Sequence, residues 1–110
     1  MLEISKYQAD IDTLCKSHNV NELYIFGSSL SRNFSNSSDI DLLVEFQKLS
    51  PVEYAINYFD LKFSLQKIFG RNIDLLEKKT LKNPYLINEI DNTKRRLYAA
   101  WDQNLFIRHP

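Results

Sequence analysis

Gly27 and Ser28 close a short apolar run, Leu23-Tyr24-Ile25-Phe26, and ten residues separate Ser28 from Asp39, which with Asp41 flanks Ile40 at the head of a second run. A glycine-serine turn leaving a strand offers backbone N–H groups and a hydroxyl to phosphate oxygens. Two aspartates at i and i+2 of a strand point to one face, where they can hold cations. A third acid, Asp74, interrupts the apolar run Asn72-Ile73-Asp74-Leu75-Leu76-Glu77. Brought beside the first two on an adjacent strand, it makes three carboxylates that repel one another unless divalent cations lie between them. Hard oxygen ligands without His or Cys suit Mg²⁺ or Mn²⁺. Two such ions could activate an attacking hydroxyl and clamp a triphosphate for in-line displacement, and Asp74 could accept the nucleophile's proton. Asp74 could instead pair with Arg71 or Lys78.

The elements that must position these groups follow from periodicity. Ile4, Tyr7, Ile11, Leu14 and Cys15 recur at helical spacing and predict a first helix over 4–16. Asn19 to Glu22 reads as a turn, and Leu23 to Phe26 as a buried strand stopped by Gly27. The serine- and asparagine-rich stretch from Ser28 to Ser38, with Leu30 and Phe34 as its anchors, predicts a short helix and a loop. From Asp39 to Phe46 the residues alternate: Asp39, Asp41, Leu43 and Glu45 on one face, Ile40, Leu42, Val44 and Phe46 on a core face. Ser50-Pro51-Val52-Glu53 has the form of a capping box with proline at the first helical position. The helix it starts carries Val52, Ala55, Ile56, Phe59 and Phe63 on one stripe and Tyr58, Leu61, Leu65 and Ile68 beside it, and ends before Gly70. Asn72 to Glu77 is a third strand. Asn83-Pro84 opens a last helix, whose stripe Leu86, Ile90, Leu97 and Trp101 extends it to about Ala100. The alternation of helices and strands argues for an α/β layer fold, one domain over residues 1–101 with a loosely held tail at 102–110.

Bulk properties narrow the function. At 110 residues the chain has length for one core and little more, so a separate acceptor-binding domain is not expected. Fourteen Lys plus Arg balance fourteen Asp plus Glu, so no global field favours nucleic acid or an anionic membrane, and no direct nucleic-acid binding is expected. The single cysteine, Cys15, excludes an internal disulfide and fits a reducing cytoplasm. No apolar stretch approaches the roughly 20 residues of a membrane span.

Taken together, Gly27-Ser28, the ten-residue gap, Asp39-Ile40-Asp41, the continuation to Phe46, and Gly70-Arg71-Asn72-Ile73-Asp74-Leu75 resemble the minimal nucleotidyltransferases of the polymerase-beta-like superfamily over nearly the whole chain. That resemblance implies a small mixed β-sheet of about three or four strands with helices packed on it. It implies that Gly27 and Ser28 bind the triphosphate of ATP, that Asp39 and Asp41 bind two Mg²⁺ ions, and that Asp74 binds one ion and serves as base. Members commonly carry arginine then glycine four and five residues after the motif glycine, where this chain has Ser31 and Arg32; with the arginine displaced by one position, the resemblance implies Arg32 as a phosphate ligand. The resemblance also implies a partner: many such proteins are antitoxins that silence a HEPN ribonuclease toxin by transferring AMP from ATP to a toxin tyrosine. An antitoxin acting by occlusion without catalysis and a small-molecule nucleotidyltransferase share the signature and stay open as alternatives.

Other residues take plainer roles. His18 reads as a solvated residue completing the first helix, and Cys15 as core. Glu45 faces solvent near a strand end, and Lys94-Arg95-Arg96 form a basic turn at a helix C-terminus with a possible nucleotide or partner contact. The surplus of aromatics, with Tyr54, Tyr58, Tyr85 and Trp101 as candidates, suggests a covered surface in a homo- or hetero-oligomer.

Overall fold

The computed structural model describes residues 3–30 and 38–101, Ser28 by its backbone alone. Ser31, Arg32, Phe34 and the tail 102–110 lie outside the described residues.

Two faces of one sheet organise the chain. Strands β1 (Val20–Phe26), β2 (Ile40–Phe46), β3 (Ile73–Glu77) and β4 (Arg95–Ala99) form a mixed sheet in the order β3-β2-β1-β4, with β2 and β3 parallel and the other pairs antiparallel. Alternation sends Leu23 and Ile25 of β1, Ile40, Leu42 and Val44 of β2, and Ile73 and Leu75 of β3 into the main core. There they meet Ile11 and Cys15 of α1 (Gln8–Ser17) and Leu61, Leu65 and Phe69 of α2 (Pro51–Phe69). On the opposite face Phe26 and Leu43 pack with Ile90 of α3 (Pro84–Thr93), a smaller cluster to which Tyr24, Leu76, Leu81 and Leu86 add partly buried side chains.

The helix boundaries follow their caps. Ser50 Oγ accepts from the Glu53 N–H at 3.2 Å, the Ser50 N–H donates to Glu53 Oε1 at 3.4 Å, and Gly70 ends α2 in the left-handed conformation at φ 64°. Asn83 Oδ1 accepts from the N–H groups of Tyr85 and Leu86 at 2.9 and 3.3 Å, with Pro84 at the first helical position. The first helix is split: a 3-10 turn at Ile4–Tyr7 precedes α1. β1 starts at Val20, earlier than the polar residues around it suggest, because Val20 is fully buried and pairs with Phe46.

Three expectations are corrected. The last helix does not run to Ala100: it stops at Thr93, and Arg95 to Ala99 become β4. Leu97 and Trp101 share a helical period with Ile90, yet the outer edge of β1 is paired only if this segment is extended, and the ladder prevails over the local pattern. His18 is buried, its ring bridging the Leu14 carbonyl and the Asp60 carboxylate and so tying the end of α1 to α2. Tyr54 and Tyr58 are half-buried, Tyr54 edge-on to Phe46 at 5.1 Å and Tyr58 donating to the Leu75 carbonyl at 2.6 Å, whereas Tyr85 and Trp101 are exposed.

Cys15 is core as expected, and burial together with the Asp12 charge pushes its thiol well above the ordinary range. A thiol held protonated is a poor nucleophile. Native protein at pH 8 should therefore leave Ellman's reagent uncoloured over minutes and release one equivalent of thiolate in denaturant; rapid native reaction would contradict the packing.

Candidate active site

β1, β2 and β3 bring their chemistry to one end of the sheet through register. Phe26 lies opposite Asp41 across the antiparallel β1–β2 pair, and Asp41 is level with Asp74 across the parallel β2–β3 pair. Residues level on neighbouring strands share a face, so Asp41 and Asp74 both stand on the face of the sheet away from α1 and α2, with strand axes roughly 4.8 Å apart. Asp41 is half-buried and Asp74 exposed. Asp39 lies one residue before β2 and is exposed. Register thus collects three acids at one sheet end, although among the described residues no three Asp, Glu, His or Cys side chains are grouped to hold a metal ion as they stand.

Gly27 closes the other side. Its φ is 71°, and a Cβ placed on it would lie 2.6 Å from Asp41 Oδ2 and 3.4 Å from Asp41 Cγ. Glycine is required there twice over, for the left-handed backbone and for the space the carboxylate occupies. The 3-10 turn Gly27–Leu30 then carries the chain across the sheet end, with Ser29 fully buried and its hydroxyl without a hydrogen-bond partner among the described residues.

Arg71 does not turn to Asp74. The structure instead directs its guanidinium to the Ser38 carbonyl at 3.4 Å, while the Ile40 N–H donates to the Asn72 carbonyl at 3.0 Å. Together these contacts fasten the segment bearing Asp39 to the start of β3, a positioning role that sequence spacing does not reveal. Lys78, the other candidate, stands 3.8 Å from Glu45. Glu45 is therefore half-buried and engaged, accepting also from Asn21 at 2.8 Å, and lies four residues along β2 from Asp41, about 13 Å away. The Lys94-Arg95-Arg96 segment is a helix cap leading into β4; Lys94 lies over the Tyr24 ring at 4.7 Å and is 3.0 Å from Asp91 Oδ1. Burial first, then the charges of Glu77 and Asp74, push the Tyr58 hydroxyl above its usual range and keep it a donor. A cavity of about 590 Å³ lies at the opposite end of β2, between Glu45, Phe46, Tyr54 and Lys79, away from the three acids.

A glycine turn pressed on a strand aspartate, with a second acid level on the parallel neighbour and a third at the strand entrance, can hold phosphate groups beside hard divalent cations. Residues 9–103 match the polymerase beta nucleotidyltransferase family, and the chain belongs to it. A candidate protein adenylyltransferase of Methanocaldococcus jannaschii is 34% identical over 74 residues, which are 67% of this chain and 73% of the relative. Among solved structures, a toxin-antitoxin complex with AMP-PNP contains a chain that superposes with a TM-score of 0.65 at 21% identity, over 90% of this chain and 79% of the other. A complex of a tri-AMPylated Shewanella oneidensis HEPN toxin with its MNT antitoxin matches with a TM-score of 0.61 at 18% identity, over 94% and 79%. At that identity the likeness concerns the fold, the mixed four-stranded sheet with three helices. No helix among the described residues is long and apolar enough to cross a membrane.

Proposed function

We propose that this chain is a Mg²⁺-dependent protein adenylyltransferase that moves AMP from ATP to a tyrosine of a cognate HEPN ribonuclease toxin, acting as its antitoxin in the cytoplasm. The observation that carries the reading is the register of Asp41 with Asp74 beside the Gly27 turn, in a chain of the nucleotidyltransferase family. The protein acceptor is supported by the adenylyltransferase name of the archaeal relative and by the AMPylated toxin bound to a structural neighbour.

In this reading Gly27 and Ser28 hold the triphosphate, with Arg32 as a further phosphate ligand. Asp39 and Asp41 would hold two Mg²⁺ ions, with Asp74 as a further ligand. An all-carboxylate donor set on two adjacent strands fits that cation. When bound, the ions offset charge on the phosphates and favour in-line attack at the α-phosphorus. Asp74 takes the proton of the tyrosine hydroxyl as the phenolic oxygen bonds to the α-phosphorus. The bond from the α-phosphorus to the oxygen bridging to the β-phosphate breaks, and pyrophosphate leaves with that electron pair.

Incubating the purified chain with the product of the neighbouring reading frame, ATP labelled at the α-phosphate and Mg²⁺ tests the proposal. Label is expected on a toxin tyrosine, with loss of its ribonuclease activity, and EDTA should abolish both. Toxin silenced without label, in EDTA as in Mg²⁺, would replace transfer by occlusion.

A further inference from the structure

The helix α2 is apolar on two opposite sides. Tyr58, Leu61, Leu65 and Phe69 face the sheet. On the far side Val52, Ile56, Phe59 and Phe63 remain 70%, 63%, 54% and 60% exposed, with Phe59 and Phe63 stacked at 6.4 Å. Of these two stripes the sheet buries only the first. A helix apolar all round is normally covered all round, and four large side chains at spacings of four, three and four form the seam of a helix pair.

We infer that this stripe is the two-fold interface of a homodimer, covered by α2 of a second copy running antiparallel. Three observations favour a second copy over another occupant. The stripe is self-complementary: an antiparallel partner centred between Asn57 and Tyr58 sets Val52 against Phe63 and Ile56 against Phe59, then repeats both layers in reverse, so every layer joins one aliphatic side chain to one aromatic. An isologous two-fold contact demands that symmetry, and antiparallel axes also set the two helix dipoles head to tail.

The area is of the right order as well. With exposed fractions of 54–70%, these four side chains offer on the order of 400 Å² per copy. Two copies thus bury roughly 800 Å² from the stripe alone, which side chains flanking it need only extend to reach the roughly 1,000 Å² of a specific interface. Finally, the stripe points away from the sheet on the side opposite Asp41 and Asp74. A protein presenting a tyrosine to those acids does not cover it, and a dimer formed there leaves both sites open. The inference stands whether or not the chain transfers AMP.

Sedimentation velocity of the full chain alone, from 1 to 100 µM, reads the outcome. A dimer is expected, with Phe59→Asp and, separately, Ile56→Lys becoming monomers of unchanged circular dichroism. Because either variant could misfold, Ile56→Cys and Phe59→Cys chains are also mixed under mild oxidation, Cys15 being buried; the mixed disulfide should form at least tenfold faster than that of Val52→Cys with itself. A wild-type monomer at 100 µM, whether the stripe is then covered by residues 102–110 or by a toxin, overturns the inference. So does a dimer that survives both substitutions, or Val52→Cys cross-linking as fast as the mixed pair.

Discussion

Asp41→Asn should slow AMP transfer by roughly a thousandfold while leaving the fold intact. The carboxylate stands level with Asp74 and against the Gly27 turn, and so adjoins both halves of the proposed site. Replacing it by an amide of equal size removes a full negative charge from the proposed ligand set of a divalent cation. Losing one preorganised electrostatic contact to a transition state costs about 10²–10³ in rate, and a metal ligand bears on attack and departure together. Stability should barely move, because the side chain is half-buried and its volume is kept. Initial rates with labelled ATP, set beside thermal melts, test both parts. A rate within tenfold of wild type would remove Asp41 from the chemistry, and a melting point lowered by more than about 8 °C would make its role structural.

Gly27→Ala should cost both activity and stability, and the second glycine supplies the control. The two residues share a left-handed backbone, φ 71° at Gly27 and 64° at Gly70, so alanine at either position incurs strain of about 1–2 kcal/mol. Their surroundings differ. A Cβ at Gly27 meets Asp41 Oδ2 at 2.6 Å, whereas at Gly70 nothing lies within 4 Å. Alanine at Gly27 must therefore displace the carboxylate or the turn, and misplacing a catalytic group by about 1 Å can cost on the order of 10²-fold. Transfer should fall 10- to 100-fold in Gly27→Ala and stay within twofold in Gly70→Ala, with urea denaturation showing losses of about 2–3 and 1–2 kcal/mol. Equal activity in the two variants would mean that the approach of Gly27 to Asp41 is incidental.

Much of this arrangement is legible in the sequence because it rests on local rules. The cap of α2 follows from Ser50-Pro51-Val52-Glu53, and the shared face of Asp41 and Leu43 from strand alternation. Asp74 is conspicuous because a lone acid inside Ile73-Asp74-Leu75 has no packing role. Features set by distant partners are hidden. β4 carries a helical period and becomes a strand only because β1 has an edge to pair, and His18 is buried only because Asp60, 42 residues on, meets its ring. Likewise the two stripes of α2 are equally apolar, and nothing local says which one meets the sheet. Arg71 is read against the nearest acid in sequence, whereas the fold offers it a carbonyl 33 residues away.

Gly27, Asp39, Asp41 and Asp74 are proposed to form one nucleotide and metal site. Titration calorimetry with an ATP analogue carrying a methylene between its α and β phosphorus atoms tests this without turnover. Binding to the isolated chain is expected to need Mg²⁺, to weaken at least tenfold when EDTA replaces it, and to be lost to a similar degree in Asp41→Asn. Binding of equal strength with and without Mg²⁺, or unchanged by Asp41→Asn, would contradict it.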